Sequence, residues 1–180
     1  MRATGIVRKI DDLGRIVIPK EIRRTMRIRE GDPLEIYTDR DGSVIFKKYS
    51  IMGGLGEFSA QFCDSLNRTT GQVTVITDRD SVIAVAGAPR REWMDKAISP
   101  ELERLMEGRQ IYQHKQGETG IPMCAGDNRF CLDTVAPILS EGDVLGGVLF
   151  VAPEEQLTGT EVEYKLAQSV ASFLGKHMES

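Results

Sequence analysis

The first fifty residues carry strand and helix signals for a whole small fold but are too short a segment to enclose a core alone, and this mismatch constrains the chain most. Thr4 to Ile10 reads as a strand, Asp11-Asp12-Leu13-Gly14 as a turn, and the β-branched run Arg15-Ile16-Val17-Ile18 as a second strand. Pro19 suits the first position of a helix, where its missing N–H is no loss. That helix is expected to run through Met26 and to end near Gly31-Asp32-Pro33. Leu34 to Thr38 and Ser43 to Lys48 follow as strands, joined by the hairpin signal Asp39-Arg40-Asp41-Gly42. Domains this small bury too little apolar surface to stand alone, and isolated hairpins are marginal in water. The head is therefore expected to be stable only where two chains share one core.

The net charge of −4 conceals an asymmetry. Residues 1–50 hold 12 Lys/Arg against 8 Asp/Glu, or +4, and the remainder holds 11 against 19, or −8. A basic head on an acidic body points to a polyanionic partner for the head alone. Within the expected helix, Ile18, Ile22 and Met26 recur at i, i+4 and i+8 as an apolar face. Lys20, Arg23, Arg24 and Arg27 recur at i, i+3, i+4 and i+7 as a basic face, with Arg8, Lys9 and Arg15 on the adjoining strands. Like charges so placed repel by roughly 0.2–0.5 kcal/mol per pair. Phosphates would offset that repulsion; the competing reading is a solvated helix face.

Ile51-Met52-Gly53-Gly54 reads as a hinge, since paired glycines mark a break between elements, and it divides the chain into 1–50, 51–54 and 55–180. Beyond it the pattern is α/β. Leu55, Phe58, Phe62, Leu66 and Thr69 have helical spacing, and strands are expected at 73–77 and 82–86 around Asp78-Arg79-Asp80. Residues 90–108 read as helical with Ser99-Pro100 as a start, 115–130 as a long loop, and 133–139 and 144–151 as strands. A last helix over 158–178 opens on the capping box Thr158/Glu161 and places Val162, Leu166, Val170, Phe173 and His177 on one stripe.

No stretch approaches the roughly 20 apolar residues of a membrane span, and no apolar signal segment opens the sequence, so a cytoplasmic protein is expected. Three cysteines do not make a secreted disulfide framework. There is no Gly-rich phosphate loop and no Ser-His-Asp pattern, and two histidines leave few groups for acid–base work near neutral pH. No enzyme, cofactor or metal is expected: Cys124, Cys131 and His114 lack the paired short spacings of zinc sites.

The run from Thr4 to Thr25, with Gly14-Arg15, Pro19 and the double arginine Arg23-Arg24 in register, resembles the swapped-hairpin DNA-binding domain of the AbrB family. The match continues through Asp32–Tyr37 and Phe46–Tyr49. The second half resembles a GAF domain, a sheet flanked by helices with a pocket beneath a long loop, and the two-domain layout resembles that of sporulation regulators. The resemblance implies an α+β, two-domain fold and a dimer of interleaved heads presenting Arg8, Lys9, Arg15, Arg23 and Arg24 to double-stranded DNA. Helix geometry adds Lys20 and Arg27. Such heads read DNA shape and flexibility through phosphate-dominated contacts, and activation and repression are both open. Two association surfaces, the head and the apolar stripes of the helices at 55–69 and 158–178, imply a homotetramer associated with the nucleoid. The GAF likeness places a pocket for a small-molecule effector at Tyr112, His114, Met123, Cys124 and Cys131. Two other readings follow from the same features: an antitoxin-like DNA-binding protein, and a GAF-fold, cysteine-dependent methionine sulfoxide reductase.

Overall fold

Pro19 fixes where the first helix begins. In the computed structural model, which describes residues 4–178, Pro19 is the N-cap and α1 spans Lys20–Thr25. The helix stops one residue earlier than expected because Arg27 adopts φ 50. The Arg27 N–H donates to the Arg24 carbonyl (3.3 Å) and the Ile28 N–H to the Arg23 carbonyl (2.8 Å), the two bonds of a Schellman close. Arg27 thus leaves the helical face that holds Lys20, Arg23 and Arg24. β1 (Leu34–Thr38) and β2 (Val44–Lys48) form the expected antiparallel hairpin, in register from Leu34↔Lys48 to Thr38↔Val44.

Residues 4–10 and 15–18, expected as strands, form none within the chain. The turn between them is present: Asp11 N–H donates to the Arg15 carbonyl (3.0 Å), and Asp11 Oδ1 accepts the N–H groups of Leu13 and Arg15. β-branched residues favour extended backbone, but a strand exists only where a neighbour takes its N–H and C=O groups. Among the described residues of this unit no large apolar side chain is buried; Val7 is 88% exposed, Val17 71% and Leu13 70%.

The chain divides into two units, Met1–Tyr49 and Ser50–Ser180. The segment 51–54, expected as a hinge, lies in a 3-10 turn over Ile51–Leu55, and its Met52 is buried in the core of the second unit. That unit is built on an antiparallel sheet of β3 (Val73–Asp78), β4 (Val82–Ala86), β5 (Tyr112–Gln113), β6 (Pro122–Cys124), β7 (Asp127–Ser140) and β8 (Asp143–Ala152). The order is β4-β3-β8-β7-β5, with β6 also on β7. The region 115–130 is therefore only partly a loop, because β6 and the first residues of β7 pair across Gly126 (φ 75).

Strand alternation splits the core into two layers. Ile76, Ala136, Val148 and Phe150 point to one face, covered by α2 (Gly56–Thr70) and α5 (Glu161–His177). Val75, Val135, Leu149 and Val151 point to the other, covered by α3 (Arg90–Trp93) and α4 (Pro100–Glu107). The single helical stretch expected at 90–108 is split because the segment between runs beside β4, where Val82 N–H donates to the Lys96 carbonyl (3.0 Å). Ser99 then caps α4, its hydroxyl accepting the Leu102 N–H at 3.0 Å.

The capping box of α5 is Thr160/Glu163, two residues beyond the expected pair. Asp133 Oδ1 takes the N–H groups of Thr158 (3.0 Å) and Gly159 (2.8 Å), and Gly159 has φ 59, so the chain there is not yet helical. Of the expected stripe, only Val170 is buried. The sheet-facing side is instead Glu163, Ala167, Val170, Ala171, Leu174 and Gly175.

Candidate functional site

In the head, Arg8, Lys9, Arg15, Lys20, Arg23 and Arg24 are exposed and Arg27 is half-buried. α1 brings together Lys20, Arg23 and Arg24, while Arg15 stands just beyond the turn that precedes it. Arg15 Nε donates to Asp11 Oδ2 (2.8 Å) with the side chain 70% exposed, which aims the guanidinium while leaving its outer N–H groups available. Those bonds from Arg15 hold the Asp11 carboxyl below its ordinary range. The Arg27 carbonyl accepts Lys48 Nζ (2.8 Å), which lies 3.6 Å from Asp32, so the Schellman close is tied to β2. Lys47, over the Tyr37 ring at 4.7 Å, and Lys48 are basic residues that spacing alone did not single out.

Five residues of the second unit were expected to line a ligand pocket. Met123 and Cys124 do line a cavity, with Trp93, Lys96, Asp127 and Phe130, but it holds only about 10 Å³, room for about one water. Tyr112, His114 and Cys131 do not line it. Its mouth is pinned by Asp127, which accepts Lys96 Nζ (2.8 Å) and Arg129 Nη2 (2.8 Å); these partners hold its carboxyl well below the usual carboxylate range. Arg129, the nearest cation to Cys131 in sequence, is thereby engaged. Burial pushes the Cys63 thiol up to about 12 and raises those of Cys124 and Cys131. A nucleophilic cysteine needs the opposite shift.

His114 belongs to a different place. Its backbone N–H donates to the Asp133 carbonyl (2.8 Å), and its ring is buried with no hydrogen-bond partner for Nδ1 among the described residues. Asp133 and Glu163 are both buried side by side at the start of α5. Burial raises the Glu163 carboxyl, and adjacent Asp133 pushes the same way, so a proton on Glu163 lets the two groups share a hydrogen bond. Spacing gave no hint of this pair, because the residues are thirty positions apart. On the outer side of α2 and α5, Phe58, Phe62, Phe173 and His177 form one cluster, with Phe58–Phe62 at 5.1 Å and Phe62–Phe173 at 5.5 Å between ring centres.

Residues 7–51 match the family model described as antidote-toxin recognition MazE, bacterial antitoxin. Residues 54–179 match that of the stage V sporulation protein T C-terminal, transcription factor. The chain is 46% identical to stage V sporulation protein T of Bacillus subtilis over 99% of both chains. Its head is 63% identical over 49 residues to the transition state regulatory protein AbrB of the same organism, covering 27% of this chain and 50% of that one. Among solved structures, a type II free methionine-R-sulfoxide reductase from Thermoplasma acidophilum shares the fold of the second unit, the GAF-like arrangement expected from sequence. Its TM-score is 0.53 at 9% identity, covering 71% of this chain and 94% of that one. An AbrB-like head joined to a C-terminal domain matched along its whole length places the chain in the stage V sporulation protein T family of transcription factors.

Proposed function

We propose that this chain regulates transcription of sporulation genes by binding duplex DNA as a homo-oligomer in the cytoplasm, on the nucleoid. The observation that carries the reading is the head's inverted surface. Twelve large apolar residues between Ile6 and Tyr49 are exposed while no large apolar side chain among that unit's described residues is buried, and Arg8, Lys9, Lys20, Arg23 and Arg24 are exposed. A second copy pairing with the arms at 4–10 and 15–18 supplies the missing core and brings two sets of Arg8, Lys9, Arg15, Lys20, Arg23, Arg24 and Arg27 to one DNA segment. The aromatic cluster on α2 and α5 supports a second self-association, which makes four chains the closed assembly. The second unit tunes the heads, as an assembly device or under a small-molecule effector, and works by binding rather than by catalysis.

Replacing Arg23 and Arg24 together by alanine is expected to weaken binding to all duplexes and to flatten the fall of affinity with salt, since phosphate contacts release counterions. Titrations at several salt concentrations read both. A double variant with the parent's slope and affinity would remove these residues from the interface.

The match of residues 7–51 to an antitoxin model favours a second reading, in which the head binds DNA and the rest masks a toxin. Such tails are short and disordered until bound. This one has two core layers of its own. Limited proteolysis separates the readings: a fragment near residues 50–180 that survives digestion supports the regulator, and its rapid loss supports the antitoxin.

A further inference from the structure

Along α5, on the sheet face that α2 and α5 cover, lies a groove of about 360 Å³. It is distinct from the 10 Å³ cavity behind Met123 and Cys124, which is on the opposite face. Its floor is apolar and made of short side chains, Ala136 and Pro137 on β7 and Ala171 on α5. Small residues at the helix–strand contact leave this space open, and its volume falls in the range of pockets that take small organic molecules.

The rim carries two cations, Arg109 and Lys176, and among the described residues no acidic one lines the groove. Neither cation forms an ion pair among the described residues. This is against the background, because residues 51–180 hold 19 acids to 11 bases. Lys176 in the last turn of α5 also complements the helix dipole. Arg109 follows α4 at φ 56 and closes that helix, its N–H donating to the Met106 carbonyl (3.0 Å), which holds the start of its side chain at the groove's rim.

We propose that this groove binds a small organic anion, its charged head between Arg109 and Lys176 and its apolar body against Ala136, Pro137 and Ala171. The inference concerns the second unit alone and does not rest on DNA binding. Three probes test it on the full chain by methyl NMR with labelled alanines: 3-phenylpropionate, phenyl phosphate and inorganic phosphate. Saturable shifts of the Ala136 and Ala171 methyls with either aromatic anion, and none at Ala84 and Ala86 on the far edge strand, are expected. The aromatic anion with the higher affinity identifies the head group as carboxylate or phosphate.

Arg109→Gly keeps the left-handed backbone and Lys176→Met keeps the stem, so both are expected to fold and to weaken binding about tenfold, one charge-assisted hydrogen bond's worth. Silence from all three probes to about 10 mM overturns the proposal. So does inorganic phosphate binding as tightly as the aromatic anions, which means attraction without an apolar site. Binding that survives both substitutions overturns it too.

Discussion

The carboxyl of Glu163 serves two neighbours that pull its titration in opposite directions. As the second half of the capping box it accepts the Thr160 N–H (3.0 Å), which favours the charged form. Burial and the adjacent Asp133 oppose that charge and dominate, raising the carboxyl above its ordinary value of 4.5. A raised folded value means that the folded chain holds this proton more tightly than the unfolded chain. The resulting stabilisation is complete below about pH 4.5 and is lost as pH rises through the folded value. Glu163→Gln cannot ionise, still accepts the Thr160 N–H through its amide oxygen and can donate to Asp133. It is expected to melt higher than the parent at pH 8 and close to it at pH 4.5, measured by thermal unfolding at both. A parent that melts higher at pH 8 would mean the pair is comfortably ionised. Sequence could place a capping box here because Thr158-x-x-Glu161 and Thr160-x-x-Glu163 both satisfy the pattern. Choosing the frame required Asp133, whose bonds to Thr158 and Gly159 delay the helix.

At the scale of elements, α5 lies against β7 with so little clearance that a methyl on Gly175 would collide with the Leu139 carbonyl oxygen. In an exposed helix Gly→Ala gains about 1 kcal/mol. Here it forces the helix from the sheet, and Gly175→Ala is expected to lower stability by about 1–3 kcal/mol in denaturant titration. A gain would show that α5 is not seated on β7 as described. The same packing explains what the sequence could and could not tell. A stripe through Val162, Leu166, Phe173 and His177 is real, but periodicity does not say which surface a stripe meets. The sheet takes the alanine and glycine side, and three of those four bulky side chains are left exposed. Strands with a local turn signal, such as β3 and β4 around Asp78 to Ser81, were legible because the hydrogen bonds that close them are near in sequence. The arms at 4–10 and 15–18 were read from their own propensity, and β6 was missed for its three-residue length; in both cases pairing depends on a neighbour that propensity does not contain. The groove by Arg109 was illegible for the same reason, its cations lying 67 positions apart.

For the whole molecule, the aromatic cluster of α2 and α5, half-buried at Phe58 and Phe62 and exposed at Phe173 and His177, makes self-association of the second unit testable without touching the heads. Phe173 is 48% exposed, so Phe173→Glu is expected to leave the fold intact and to reduce the sedimentation mass from four chains to two. DNA affinity should then fall roughly 100-fold, through loss of linked heads rather than of any contact. An unchanged mass would move the association surface elsewhere. The position of Met52 sets a further limit. β2 ends at Lys48 and Met52 is already core, so only Tyr49, Ser50 and Ile51 lie between the last strand of the head and the buried side chain of the second unit. Those four steps span at most about 14 Å, less than half of the roughly 34 Å in one turn of the double helix. If the heads bind DNA as proposed, so short a lead limits how far each could move from the second unit of its own chain. In the proposed oligomer, whatever spacing the second units adopt would be imposed as helical phase, and a shift of a few ångströms between them would change which base-pair steps two heads meet together.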